Sequence, residues 1–197
     1  MALKHAQHTI SESEYLQGEM ISDIKHEYVA GEVYAMAGAS RNHNLIISNM
    51  VQKLTNHLQA TPCATFSSDL KIKAAGNFFY PDVMVVCDDE QGDDYYTDKT
   101  TIIVEVLSKA TRRMDKSTKL AAYKALPSLL EYVLIEQDCV DVEVFRRSAN
   151  WLSEHYFLGD NVTLESVSLT VSINDIYQRV NNEDMRDYLQ QLKQQAL

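Results

Sequence analysis

Residues 101–107 constrain this chain more than any other stretch. They read Thr-Ile-Ile-Val-Glu-Val-Leu, aliphatic and largely β-branched, without the alternation of a strand that faces water on one side. A strand buried on both faces needs a covering layer on each side. The expected architecture is therefore a central mixed β-sheet flanked by helices, an α/β (α+β) fold. The 197 residues suit one domain, with core enough to dispense with disulfides and structural metals. The expected organisation is a single domain over 1–197, of which 1–10 form a flexible leader.

Local signals fill in the order. Ser11 or Ser13 caps a first helix through Tyr15 and Leu16. Residues 26–29 and 32–36 flank Ala30-Gly31 as a hairpin. Leu45, Ile46, Met50, Val51, Leu54 and Leu58 recur at helical spacing, which predicts a helix over 42–58. Strands are expected at 64–67, 69–74 and 79–87, followed by an acidic loop over 88–99 that carries Tyr95 and Tyr96. A helix over 113–126 ends at Pro127. Strands at 131–136, 140–146 and 151–158 precede helices at 173–180 and 184–194.

Several classes of protein fit poorly. No apolar run approaches the roughly 20 residues of a membrane-spanning helix. The first ten residues lack the apolar centre of a signal peptide, so a cytoplasmic location is expected. Cys63, Cys87 and Cys139 are odd in number and form no CxxC pair; they read as small buried hydrophobes rather than zinc ligands. Asp and Glu outnumber Lys and Arg by 28 to 18, a net charge of -10. That argues against a protein that coats nucleic acid through many basic contacts. It leaves open a nuclease, whose metal-binding carboxylates make the site itself acidic.

Two carboxylates stand out by position. Asp82 follows Pro81 at the start of Val83-Met84-Val85-Val86, and Glu105 lies inside the apolar strand. An ionised carboxylate there is costly unless paired or metal-bound. Adjacent strands lie about 4.8 Å apart, so two such groups can share one ion. Magnesium takes oxygen ligands and keeps several waters, which suits a carboxylate pair plus a phosphate oxygen. The plainer alternatives are a turn aspartate and a lysine-paired glutamate.

A set of motifs narrows the choice. Tyr80-Pro81-Asp82-Val83, Ile103-Val104-Glu105-Val106-Leu107-Ser108, Lys119 with Tyr123, and Glu131-Tyr132-Val133-Leu134 resemble the Uma-two family of bacterial restriction-endonuclease-like proteins, which is assigned to the PD-(D/E)xK nuclease superfamily. The resemblance extends to Glu27-Tyr28, Gly31-Glu32-Val33-Tyr34, Met36-Ala37-Gly38-Ala39-Ser40, His43 and Ser68-Asp69-Leu70-Lys71. It implies a restriction-endonuclease-like sheet with a metal site at one edge, Asp82 and Glu105 as ligands of Mg (Mn as the alternative), and hydrolysis of DNA phosphodiester bonds by an activated water. The superfamily's lysine stands two residues after the second acid, where this chain has Leu107. Lys119 matches a recurring helical lysine of the family, with Asp115 and Tyr123 four residues to either side on one face. Lys109 and Lys71 compete for the role.

Other residues have two readings each. His43 either contacts phosphate or a metal-bound water, or caps its helix. Glu27 and Glu32 either complete a second metal site or pair locally, and Asp69 either approaches Asp82 or begins its strand. The run Lys109, Arg112, Arg113, Lys116, Lys119 either meets a phosphate backbone or forms a solvated face. Leu107 and the net charge of -10 also admit a nuclease-fold protein with weak or no catalysis that binds nucleic acid or protein. A homodimer is expected of an enzyme that cuts both DNA strands.

Overall fold

Residues 9–89 and 92–195 are described in a computed structural model of the chain. Of the expected leader, 1–8 lie outside the described residues, while Ile10 donates its N–H to Gly31 and accepts from the Tyr28 hydroxyl. Helix α1 (Glu12–Glu19) starts at Ser11, which exchanges hydrogen bonds with Glu14 as a capping box. Strands β1 (His26–Val29) and β2 (Glu32–Ala35) form the expected hairpin. Its turn holds Ala30 and Gly31 both at positive φ, the two-residue geometry that matches strand twist. A Cβ on Gly31 would meet Thr9 at 2.7 Å.

Helix α2 (Arg41–Leu58) follows, then β3 (Cys63–Phe66), β4 (Lys71–Ala74), β5 (Asn77–Phe79), β6 (Val83–Cys87), the short β7 (Tyr96–Thr97) and β8 (Ile102–Leu107). Next come α3 (Arg112–Met114), a π-helical turn (Asp115–Lys119) and α4 (Leu120–Lys124) in one continuous stretch. Strands β9 (Glu131–Glu136), β10 (Val142–Arg146), β11 (Ser153–Tyr156), β12 (Asn161–Leu164) and β13 (Leu169–Ser172) lead to α5 (Ile173–Ile176) and α6 (Glu183–Gln195).

Three sheets result. The central mixed sheet has six strands in the order β11-β10-β9-β8-β6-β3, with β8 and β9 parallel. A second sheet runs β2-β1-β5-β4-β7, and β12-β13 is a separate hairpin. Every residue of β8 and β9 is buried, as the unbroken apolar pattern requires. Alternate residues sort to two cores. Val83, Val85, Val104 and Val106 pack with Ile46, Met50 and Leu54 of α2. Met84, Ile103 and Leu107 pack with Tyr123 of α4 and with Ile72 and Phe79 of the second sheet. One face of the central sheet thus carries α2, and the other carries α4 and the second sheet.

The expected single strand over 79–87 is two strands in different sheets. Pro81 has no N–H to give a ladder and breaks the run, so Tyr80-Pro81-Asp82 carries the chain from β5 into β6. The β12–β13 hairpin was not among the expected elements; its strands are only four residues each and a helical turn at Glu165–Val167 separates them. The cysteine reading is corrected too. Cys63 and Cys87 face each other across β3 and β6 with Cα atoms 4.1 Å apart and form a disulfide, and Cys139 is exposed. Among the described residues, no helix is long and apolar enough to cross a membrane.

The bridge closes a loop with a sequence separation of 24 residues, which restricts the unfolded chain and stabilises the fold by about 3 kcal/mol. Thermal melts with and without reductant should differ by roughly 5–10 °C, and Cys63→Ser should abolish the difference. Identical melts would show that the bridge contributes nothing.

Candidate active site

The register of β6 on β8 positions the two acids. Val83 pairs with Val104 and Met84 with Ile103 in antiparallel order. One step further along the same ladder sets Asp82 across from Glu105, and residues directly opposite share a face. Asp82 lies just beyond the paired segment, so its carboxylate turns back onto the strand end. Oδ2 accepts the Val106 N–H at 2.7 Å, and Oδ1 lies 3.0 Å from His43 Nε2. Glu105 lies deeper, with only 3% of its surface exposed.

The stretch over Glu105 supplies the cation. Asp115 and Lys119 are the first and last residues of the π-helical turn, and both are buried. Such wide turns recur at functional sites because they re-aim side chains within a helix. Lys119 Nζ lies 2.9 Å from Glu27 Oε1, 3.1 Å from Glu105 Oε1 and 3.3 Å from Asp115 Oδ1. Glu27 comes from β1 of the second sheet, and its Oε1 also accepts the Tyr80 N–H at 3.2 Å. The Tyr123 hydroxyl donates to Glu105 Oε1 at 2.9 Å. One ammonium therefore ties together both sheets and the helical stretch.

Charge does not balance in this pocket. Glu27, Glu105 and Asp115 surround one lysine, with Asp82 alongside. Burial pushes the Glu105 carboxyl well above the ordinary carboxylate range; Lys119 pulls it down, and Asp115, Asp82 and Glu27 push it up further. Asp115 is raised for the same leading reason. For Lys119, burial would lower the ammonium's pKa, but Glu105, Glu27 and Asp115 outweigh it and hold the group charged. Burial, with Glu105 beside it, keeps the Tyr123 hydroxyl protonated.

Of the three candidate lysines, only Lys119 reaches the acids. Lys109 is exposed in a turn. Lys71 is buried against Tyr80, 3.5 Å from its hydroxyl. Leu107, two residues after Glu105, is 1% exposed in the core. Ser40 caps α2 by accepting the His43 N–H, which leaves the His43 ring for Asp82. Glu27 enters the cluster, whereas Glu32 accepts from the Tyr34 hydroxyl at the surface and Asp69 pairs with Lys25 at 2.7 Å. Within the basic run, Arg112 pairs with Glu136 and Lys116 with Glu143. Tyr95 is exposed, and Tyr96 packs edge-on against Phe78. Glu27 was the residue most easily underrated; its only sequence signal was its place in the Glu27-Tyr28 motif.

Among the described residues, no three His, Cys, Asp or Glu side chains converge as a ready ligand set. The excess of carboxylates over cations in the cluster nevertheless suits a hard cation. Such an ion needs only one or two protein carboxylates and completes its shell with water.

Comparison with known proteins gives the family and the fold. A family model described as "Uma2: Putative restriction endonuclease" matches residues 12–174. This chain belongs to the Uma2 family. Two relatives from Synechocystis sp. (strain ATCC 27184 / PCC 6803 / Kazusa) are each 34% identical. The first, uncharacterized protein slr1290, aligns over 85% of this chain and 91% of its own length. The second, uncharacterized protein sll1609, aligns over 79% and 92%. The fold of this Uma2 protein matches the crystal structure of "a putative nuclease belonging to DUF820" from Anabaena variabilis ATCC 29413 with a TM-score of 0.74. The two are 18% identical, and the match covers 87% of this chain and 99% of the other.

The raised carboxyl of Glu105 has a stability consequence with a definite sign. A carboxyl whose pKa rises on folding stabilises the fold while protonated and loses that contribution as pH climbs through the raised value. Glu105→Gln cannot ionise. Its stability relative to wild type should therefore improve as pH rises above the ordinary glutamate range in urea denaturation, and a pH-independent difference would contradict the burial argument.

Proposed function

We propose that this Uma2 protein is a divalent-metal-dependent endonuclease that hydrolyses DNA phosphodiester bonds at the site built on Asp82, Glu105 and Lys119. The observation that supports this most directly is the meeting of Asp82 and Glu105 at a strand end with a buried ammonium beside them. Asp82 and Glu105 are the residues that would hold the ion, Mg²⁺ with Mn²⁺ as the alternative. When bound, such an ion polarises a phosphate oxygen and lowers the pKa of an attacking water.

The chain's own groups have separable tasks. His43 fixes the rotamer of Asp82 from one side while the Val106 N–H fixes it from the other. Tyr123 orients Glu105. Lys119 offers a fixed positive charge that can offset the charge growing on phosphate in the transition state, a task that a preorganised pocket performs better than water. Leu107 fills the core in place of the superfamily's strand lysine, so the helical lysine is the cation available to this site. Cutting both strands of a duplex calls for two such centres, and a homodimer is part of the proposal.

Plasmid cleavage in Mg²⁺ or Mn²⁺ tests the reading. Asp82→Ala and Glu105→Gln should each lower the rate by at least about 100-fold, and chelation should abolish it. Cleavage that needs no metal, or that survives Asp82→Ala, would remove the proposal. DNA binding that persists in Glu105→Ala, with no cleavage by wild type under any metal, would instead favour a binding module on a nuclease fold.

A further inference from the structure

The three carboxylates around Lys119 are not equivalent. Glu105 Oε1 accepts from both Lys119 and Tyr123. Glu27 Oε1 lies against Lys119 and also accepts the Tyr80 N–H. Asp115 Oδ1 is buried and pairs with the ammonium at 3.3 Å, the longest of its three carboxylate contacts and outside hydrogen-bond geometry. A buried carboxylate oxygen gains from a closer donor than this, because an incompletely satisfied acceptor is costly to desolvate. Asp115 is only 1% exposed, so bulk water does not supply the donor.

A cation held by Asp82 and Glu105 changes the balance. Glu105 would be shared with a divalent charge, and the Lys119 ammonium beside it would be repelled. Glu27 also serves a backbone donor, whereas Asp115 stands at the other end of the same π-helical turn, four residues away, and already pairs with the ammonium at 3.3 Å, a contact that can shorten.

We propose that Asp115 is a positioning residue that takes over the Lys119 ammonium from Glu105 when a divalent cation enters, so that the lysine stays in the site without competing for the metal's ligand. This rests on the metal-binding reading of Asp82 and Glu105. In the metal-free protein Lys119 stands in for the cation among the carboxylates. With a divalent cation bound, Asp115 would hold the ammonium in place of Glu105.

Calorimetric titration of MnCl₂ and MgCl₂ into the full chain tests this with four proteins: wild type, Asp115→Asn, Lys119→Met and the double variant. Lys119→Met should tighten metal binding, and Asp115→Asn should weaken it, each by roughly tenfold, while Asp115→Asn in the Lys119→Met background should matter less than about threefold. An equal loss in both backgrounds would overturn the inference, since Asp115 would then act through its own charge. So would unchanged binding in Asp115→Asn, which is what a purely structural partner predicts. Binding by Lys119→Met but not by wild type would support it, as competition from the lysine requires. Absence of binding in all four would bring down the metal-binding reading itself, and this inference with it. Should Asp115→Asn fail to fold, the Asp115 carboxyl carbon resonance in wild type serves instead: it should shift on metal addition, and its invariance would overturn the takeover.

Discussion

The buried contact of Lys119 with Glu27, Glu105 and Asp115 is the interaction on which the rest of the site depends. Each carboxylate comes from a different part of the fold: β1 of the second sheet, β8 of the central sheet, and the π-helical turn. Separately, each would be a charge buried at considerable cost. Together they make an ion cluster in which loss of the lysine leaves the acids uncompensated, an effect on the order of 3–5 kcal/mol for buried pairs. Packing alone would hold the two sheets face to face. The lysine adds a register to that packing, because it can satisfy all three acids in only one relative placement.

Asp82 belongs to the same arrangement through the backbone. Its carboxylate is held by the Val106 N–H, one residue along from Glu105, and by His43 near the start of α2. The two acids are therefore fixed relative to each other by a strand rather than by a loop, and strands hold such geometry more tightly. The N-terminal end of α2 also carries partial positive charge, which favours an anion nearby.

Much of this was legible because it was local. The apolar run of β8 announced a doubly covered strand, and Glu105 within it announced a carboxylate that needs a partner. The spacing of Asp115, Lys119 and Tyr123 put them on one face, and that face meets Glu105. The same spacing hid the π-helical turn, since an ordinary helix brings residues four apart together just as well. What escaped were features set by pairing between distant segments. The Cys63–Cys87 bridge follows from the register of β3 on β6, which neither strand announces by itself. Glu27 looks like any hairpin carboxylate until β1 is docked on β5 and Tyr80 presents its N–H. The run over 79–87 looked continuous because hydrophobicity does not reveal which sheet a strand joins; Pro81 was the only mark of the break.

The passage from β5 to β6 through Tyr80-Pro81-Asp82 makes the site a seam. Asp82 and Glu105 belong to the central sheet and Glu27 to the second, and three residues of backbone are the direct covalent link between β5 and β6 across that boundary. A sliding of one sheet over the other by a fraction of a bond length would leave both cores packed and every strand paired. It would still change the separation between Glu27 and Glu105 that Lys119 spans. The centre therefore has a much smaller mechanical tolerance than the fold that carries it, and substitutions far from any carboxylate can detune it by altering how the two layers seat.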